Sequence, residues 1–260
     1  MQLKTPDQIK RMRDAGLFLW ETHQVAHSAL TPGISTAQIN AEVENHIYTK
    51  KATPLFKGVP GITPFPAATC ISINEEVVHG IPSDRKIMSG DIVSIDIGVK
   101  LNGWCADAAV TYTVGEIPER TEALLSTTEN ALRKTIVQLG KKSKWSLIVR
   151  KTSEYIHKAG FSIIEELAGH GIGTEMWETP QVLNYYDPRN QDFRIKPGMT
   201  LAIEPMVNTG TKEIETLPDH WTIVAEDRLP SAHFEHTVAV TENGPEVLTC
   251  GPNGEGWGMP

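Results

Sequence analysis

Apolar and polar positions recur with two different periods along this chain, and they divide it into helical and strand segments. Near the start, Thr5-Pro6-Asp7-Gln8 has the form of a capping box with proline at the first helical position. An apolar stripe at helical spacing follows, formed by Ile9, Met12, Ala15, Leu19 and Val25. A second box, Ser35-Thr36-Ala37-Gln38, opens a segment that we expect to be helical to about Lys50.

The rest of the chain divides into a loop, a strand-rich stretch, a helical stretch and a final stretch of strands and loops. Residues 52–68 are rich in proline and glycine, which is typical of an extended loop. A strand-rich stretch runs from 69 to about 115, and helices are predicted at roughly 121–139 and 145–159. These two helices are expected to end at Gly140 and Gly160. The C-terminal part returns to strands and loops.

This order of elements predicts one α+β domain. We expect a single catalytic domain over residues 1–250 and a Gly/Pro-rich tail over 251–260. The first residues lack the apolar core of a signal peptide. The sequence also lacks an apolar run of about eighteen residues, so no membrane span is expected.

The clearest strand pattern lies in residues 91–114. Apolar positions 93, 95, 97 and 99 alternate with Ser94, Asp96 and Gly98, and Asn102-Gly103 is a two-residue hairpin signal. If those two residues form the turn, Gly98 lies opposite Asp107. Asp96 is then a diagonal neighbour of Asp107 on the same face, about 7–8 Å away between Cα atoms. The two carboxylates can therefore converge on one site.

Two later strands add acids of the same kind. Glu204 alternates against the apolar side chains of residues 198–207, and Glu235 against those of residues 231–240. For an isolated pair of aspartates, exposure to water is the simpler explanation. Four acids in strands whose neighbours indicate burial are costly unless they share a cation.

His170 adds a nitrogen donor to the four acids. It stands in Ala-Gly-His-Gly-Ile-Gly, where the glycines keep side-chain bulk away and let the backbone approach a ligand. One imidazole with four carboxylates suits divalent Mn, Fe, Co or Zn better than a thiolate site would. So many donors favour two ions about 3.5–4 Å apart.

Composition and charge narrow the choice of function. The 260 residues carry a net charge of −8, so no basic field attracts nucleic acid or an anionic membrane. Cys70, Cys105 and Cys250 are odd in number and widely spaced. They give neither a disulfide framework nor a zinc-ligand spacing, which favours a reducing, cytoplasmic location.

These motifs resemble those of type I methionine aminopeptidases over nearly the whole chain. The resemblance lies in CISINEEVVHGIP, DIVSIDIGVKLNGWCADAA, GHGIG, GMTLAIEPMVN and SAHFEHTV, with donors in the order Asp, Asp, His, Glu, Glu. It implies the pita-bread, creatinase-like fold: an antiparallel sheet with two pairs of helices in pseudo-two-fold halves. It also implies the short form, without a zinc-finger extension.

The resemblance implies two divalent metal ions, Co, Mn, Fe or Zn. Asp96 would hold one ion, Asp107 and Glu235 would bridge the pair, and His170 with Glu204 would hold the other. A hydroxide between the ions would attack the first peptide bond.

The resemblance also implies roles for residues around the metals. Glu204 would take the proton of the attacking water, and His79 would assist the leaving amine. The apolar pocket for methionine would contain Phe65, Cys70 and Trp221. The implied activity is removal of the initiator methionine from nascent proteins, with a preference for small second residues.

Some positions depart from the family pattern. Trp177 stands seven residues after His170, where the family usually has a second histidine, and its indole N–H offers a partial replacement in substrate binding. Ile62 and Phe65 replace tyrosines at the pocket rim, and His233 replaces a glutamine. These changes suggest an altered or slower paralogue.

Two other functions stay open on the sequence alone. One is a same-fold aminopeptidase of different specificity, such as a proline-directed enzyme. The other is a metal-binding but catalytically weak or silent paralogue, which Trp177 favours and the five retained donors oppose. Basic residues between 133 and 151 indicate a solvated helix pair, although the family implies transient ribosome contact. A monomer is expected.

Overall fold

The computed structural model describes residues 2–189 and 192–260. Its helices are α1 (Pro6–Ala29), α2 (Thr36–Thr49), α3 (Glu119–Leu139) and α4 (Trp145–Lys158). Its strands are β1 (Thr53–Pro54), β2 (Thr69–Ile73), β3 (Glu76–Val78), β4 (Ile92–Leu101), β5 (Trp104–Thr113), β6 (Ser162–Ile163), β7 (Ala168–Gly171), β8 (Glu178–Leu183), β9 (Thr200–Ile203), β10 (Met206–Asn208), β11 (Ile214–Thr216), β12 (Ile223–Ala225), β13 (Ser231–His233), β14 (His236–Thr241) and β15 (Gly244–Val247).

Both predicted capping boxes are present. The Thr5 hydroxyl accepts from the Gln8 N–H at 3.3 Å, and the Gln8 side chain accepts from the Thr5 N–H at 2.9 Å. Ser35 and Gln38 form the same reciprocal pair at the start of α2. Each box satisfies N–H groups that have no partner inside the helix, which fixes where α1 and α2 begin.

The second helix pair begins and ends close to the predicted residues. Glu119 and Glu122 lie in the first turn of α3, where negative charge is favourable. Gly160 follows α4 in the left-handed region with φ +80°, as a C-terminal glycine is expected to do. Gly140 ends α3 with φ −77°, so it terminates that helix without a left-handed turn.

All strand pairings in the described residues are antiparallel, and two sheets carry the predicted donors. β4 pairs with β1, β2 and β5, and the other sheet has the order β15-β14-β9-β7-β8. Smaller sheets have the orders β13-β10-β6 and β11-β12-β3. The β4–β5 hairpin has the predicted register, with Leu101 opposite Trp104 and Gly98 opposite Asp107. Asn102 and Gly103 have φ of +50° and +84°, as a two-residue turn requires.

The main core lies between α1, the β4–β5 hairpin and the second helix pair. Ile9, Met12, Ala15 and Leu19 are buried as the stripe predicts, whereas Val25 is only partly buried and Ala26 is fully buried instead. Buried apolar side chains of β4 and β5 belong to the same cluster. No helix in the described ranges is long and apolar enough to cross a membrane.

The segment after residue 250 returns to this core. The Trp257 indole stacks on the His236 imidazole with ring centroids 4.8 Å apart, and its N–H donates to the Glu235 carbonyl at 3.0 Å. The Gly258 N–H donates to the Glu129 side chain on α3 at 2.8 Å. The domain boundary near residue 250 stays a prediction, but the segment beyond it packs on the core.

Candidate active site

A cavity of about 520 Å³ is lined by all the predicted metal donors, namely Asp96, Asp107, His170, Glu204 and Glu235. Its volume lies in the range of small-molecule sites. The donors come from β4, β5, β7 and the segments that follow β9 and β13. The fold therefore brings together side chains that are far apart in the sequence.

The β4–β5 hairpin positions the two aspartates. Asp107 lies opposite Gly98, and Asp96 lies opposite Ala109, which makes the aspartates diagonal neighbours on one face. A Cβ at Gly98 would lie 3.3 Å from Asp107 Oδ1 and 3.2 Å from the Phe56 ring. Glycine at this position thus leaves room for the Asp107 carboxylate.

The two glutamates are held through their backbones. Glu204 follows β9 directly, and its carbonyl accepts from the Asn184 amide at 3.0 Å. Glu235 lies between β13 and β14, and its N–H donates to the Ala109 carbonyl at 2.8 Å. This last bond ties Glu235 to β5, so the sheets that carry the two pairs of acids meet at the cavity.

His170 presents one ring nitrogen to the acids. Its Nδ1 lies 2.9 Å from the Gly171 carbonyl. With that nitrogen donating, Nε2 is left without a proton and is available as a donor atom. Nε2 lies 3.7 Å from Asp107 Oδ2 and 4.0 Å from Glu204 Oε1.

The glycines around His170 serve a different purpose from the one that the sequence suggested. A Cβ at Gly169 would lie 2.2 Å from the Ala202 carbonyl oxygen, and a Cβ at Gly171 would lie 2.5 Å from that of Thr179. These contacts are with neighbouring strands. The glycines allow β7 to pack between β8 and β9, and the prediction that they open the backbone to a ligand finds no support in these contacts.

The donor set fits a divalent cation. Asp96 Oδ1, Asp107 Oδ1 and Glu235 Oε1 are buried and have no hydrogen-bond partner among the described residues. Buried oxygens of this kind normally have one. Asp107, His170 and Glu235 each direct one donor atom into a group whose members lie within 4.8 Å of one another. Carboxylates with an imidazole are common donors for divalent transition metals.

Without a bound cation, the ionised forms of these buried acids are disfavoured. Burial raises the pKa of Asp96 and of Glu235 well above the usual range, and neighbouring carboxylates raise it further. Burial also raises the pKa of Asp107, although nearby His170 acts against the rise. Burial lowers the pKa of His170, but Asp107 and Glu204 outweigh it, so that this pKa is raised.

His79 lines the same cavity from the end of β3. Its backbone has φ +60°, in the left-handed region that non-glycine residues seldom adopt. Its ring meets Trp221 edge to face with centroids 6.4 Å apart. Burial lowers the pKa of His79, with Glu204 acting against the shift.

The predicted apolar residues form a cluster at one side of the cavity. The Phe65 and Trp221 rings meet edge to face with centroids 5.3 Å apart. Cys70, on β2, lies opposite Asp96 on β4. Burial raises the pKa of the Cys70 thiol well above its usual range, which opposes a thiolate nucleophile. Sequence reasoning missed Phe56 and Met176, which belong to this cluster. The proximity of Met176 to His170 in the sequence was the available signal.

The positions that depart from the family pattern differ in location. Trp177 lines the cavity while 57% exposed, which places it at the mouth. Ile62 is 78% exposed and is not among the lining residues, so its place at the pocket rim stays a prediction. His233 is buried in the cavity wall with Nε2 3.6 Å from Glu204 Oε2.

Comparisons with known proteins agree with this geometry. Residues 10–242 match the model of metallopeptidase family M24. The chain is 44% identical to methionine aminopeptidase 1 of Bacillus subtilis over 95% of its own length and 98% of that protein. It is 39% identical to methionine aminopeptidase of Escherichia coli K12, covering 96% and 94% of the two chains.

Solved structures give the same result. The methionine aminopeptidase of Thermotoga maritima superposes with a TM-score of 0.90 at 38% identity, covering 96% of this chain and 99% of the other. A prolidase from Pyrococcus furiosus shares the fold at 24% identity and a TM-score of 0.75, but the match covers only 65% of the prolidase.

The antiparallel sheets and paired helices are therefore those of the pita-bread fold. The chain belongs to metallopeptidase family M24 and, within it, to the methionine aminopeptidases.

Proposed function

We propose that this protein is a metal-dependent hydrolase that removes the initiator methionine from new polypeptides. The observation that carries the proposal is that one cavity holds an apolar cluster together with carboxylate oxygens that have no hydrogen-bond partner among the described residues. A site of this composition suits a substrate that has a charged amine next to an apolar side chain.

The donors divide between two divalent ions in this proposal. Asp96 would hold one ion, His170 and Glu204 would hold the other, and Asp107 and Glu235 would contribute to both. When bound, the ions acidify a water molecule and polarise the carbonyl of the first peptide bond. Co, Mn, Fe and Zn all suit this donor set.

The chain's own side chains complete the chemistry. Glu204 lies at the cavity and accepts the proton of the attacking water. His79 contributes a neutral imidazole, because burial lowers its pKa, and stabilises the leaving amine. Phe65, Cys70 and Trp221 enclose the methionine side chain and exclude water from it. Trp177 contacts the polypeptide at the cavity mouth.

The proposed substrate is the N-terminus of a nascent protein with a small second residue. We propose that the enzyme acts in the cytoplasm as a monomer and reaches nascent chains by transient contact with the ribosome. The net charge of −8 offers no general attraction to ribosomal RNA, so such contact would be local.

Hydrolysis of Met-Gly-Met-Met tests the proposal. Metal-free protein is resupplied in turn with Mn, Fe, Co and Zn, and release of methionine is measured. Asp107→Ala removes a shared donor and is expected to abolish release, whereas the exposed acid Glu242, changed to Gln, serves as the matched control. A protein that binds metal but releases no methionine from any peptide would refute the proposed function.

A further inference from the structure

A buried ion pair joins the N-terminal segment to the loop at the mouth of the cavity. Lys4 Nζ contacts Glu178 Oε2, and the two side chains are only 2% and 16% exposed. Lys4 Nζ also donates to the Gln2 carbonyl at 3.2 Å. The Lys4 N–H donates to the Gly198 carbonyl at 2.7 Å, just before β9. Lysine is rarely buried so deeply without a partner. Here the Lys4 ammonium contacts Glu178 and the Lys4 backbone is bonded to Gly198, so both parts of the residue are held in place.

The Glu178 carboxylate connects Lys4 to the start of the loop. Its other oxygen, Oε1, accepts from the Thr174 N–H at 3.0 Å. The pair is also tightly enclosed, because a Cβ at Gly173 would lie 2.3 Å from Glu178 Oε1 and 2.4 Å from Lys4 Cε. The bridge from Lys4 through Glu178 to Thr174 therefore constrains both ends of residues 174–177, which we call the mouth loop.

The mouth loop carries two side chains that line the cavity. Met176 is buried among Phe65 and Cys70 in the apolar cluster, whereas Trp177 is largely exposed. A second ion pair reaches this loop, between Lys100 and Glu175 with Nζ and Oε1 3.4 Å apart. Its side chains are 33% and 75% exposed, so solvent weakens it.

We propose that the Lys4–Glu178 pair is a positioning device for the substrate. It fixes the mouth loop so that Trp177 contacts the polypeptide beyond its first residue, whereas Met176 is held in the methionine pocket by its own packing against Phe65 and Cys70. Breaking a buried pair leaves one charge without compensation, whereas an exposed pair is lost at little cost. A loop held in place before binding avoids the loss of loop entropy when the substrate arrives. This inference rests on the proposed function, since it assumes a peptide substrate in the cavity.

Lys4→Met tests the inference, because it removes the ammonium and keeps an unbranched apolar side chain. Lys100→Met is the matched control at the exposed pair. We expect Lys4→Met to raise KM for Met-Gly-Met-Met about tenfold through loss of preorganisation. KM for methionine p-nitroanilide, which lacks the following residues, should change little. The affinity of metal-free protein for Mn²⁺, measured by calorimetry, should not change.

Hydrogen exchange and a double variant complete the test. Amide exchange in residues 174–178 should accelerate in Lys4→Met and not in Lys100→Met. In a Trp177→Ala background, Lys4→Met should add little to KM for the tetrapeptide, because the contact it positions is already absent. If Lys4→Met fails to fold, Glu178→Gln replaces it, because its amide oxygen still accepts from Thr174.

The outcomes separate this inference from the proposed function. Unchanged exchange in residues 174–178, equal KM changes for both substrates, or additive effects with Trp177→Ala would overturn the positioning role. A wild-type protein that cleaves neither substrate would instead contradict the proposed function, and the exchange comparison would still report on the loop.

Discussion

Replacing Glu235 with glutamine should stabilise the metal-free protein and remove the stabilisation that metal provides. Glu235 is 2% exposed, and its Oε1 has no hydrogen-bond partner among the described residues. Burial raises the pKa of this carboxyl, and Asp107, Glu204 and Asp96 raise it further. Glutamine has nearly the same shape but cannot ionise, so it relieves this repulsion without leaving a cavity.

The magnitude follows from linkage. For an acid whose pKa is higher in the folded protein, stability falls as pH rises above the ordinary value near 4.5. Each tenfold change in the acid dissociation constant corresponds to about 1.4 kcal/mol. We expect metal-free Glu235→Gln to be more stable than wild type by about 1–3 kcal/mol at pH 8. For a chain of this size that raises Tm by about 2–10 °C. At pH 5 the advantage should shrink.

Metal reverses the order of stability. A free metal concentration about 100 times Kd stabilises the folded wild type by about 2.7 kcal/mol for each independent site. Glu235→Gln should gain much less, because one shared donor has lost its charge. Differential scanning calorimetry with EDTA or with excess Mn²⁺, at pH 8 and pH 5, measures all four conditions, with exposed Glu242→Gln as the control. The reasoning is refuted if the metal-free variant is no more stable than wild type at pH 8, or if Mn²⁺ raises both Tm values equally.

Three further predictions concern the space beside Asp107, the cavity mouth and the buried imidazoles. Gly98→Ala should lower the free energy of unfolding by about 1–3 kcal/mol through overpacking and weaken Mn²⁺ binding, because its Cβ crowds the Asp107 carboxylate. An unchanged calorimetric titration would contradict this. Trp177→His should raise kcat for Met-Gly-Met-Met about tenfold, because the new imidazole adds one hydrogen bond to the transition state. An unchanged kcat would mean that this hydrogen bond does not form. Burial lowers the pKa of His23 to about 3 and of His236 to about 4. Both imidazoles are therefore neutral in the folded protein. The free energy of unfolding keeps its full value above about pH 6.5. As the pH drops towards 4, it falls by up to about 1.4 kcal/mol per pH unit for each imidazole. Urea unfolding of metal-free His23→Gln should show a shallower pH dependence than wild type, and an identical slope would argue against a buried neutral imidazole.

Local features of this fold were predictable from the sequence. The capping boxes at Thr5 and Ser35 and the Asn102-Gly103 turn depend on neighbouring residues only. The turn fixes the hairpin register, and the register fixes the diagonal relation of Asp96 to Asp107. The relative position of these two of the five donors follows from strand geometry.

Strand periodicity and the cost of burying acids also indicate Glu204 and Glu235, but not the strand pairing that brings them together. Glu204 and Glu235 approach each other because β14 pairs with β9, with His236 opposite Ile203, and no local pattern specifies that pairing. Periodicity assigns a residue to a face of its own strand, but it does not say which strand will lie beside it. Those strands are separated by a long stretch of chain, and their pairing depends on the tertiary structure.

Contacts between distant segments were also beyond sequence reasoning. Lys4 and Glu178 are 174 positions apart, and each looks like an ordinary surface charge in its own neighbourhood. The sequence suggests that the glycines around His170 let a ligand approach, whereas in the structure Gly169 and Gly171 make room for neighbouring strands. The size and charge of each side chain can be read from the sequence, but the groups that surround it are set by the tertiary structure.

The indole of Trp257 has a consequence for how the enzyme is made. It supports the backbone of Glu235 from 22 positions further along the chain. A ribosome therefore finishes the donor residues before it releases the segment that braces one of them. During synthesis the backbone of Glu235 therefore gains this hydrogen bond only after Trp257 has emerged and docked.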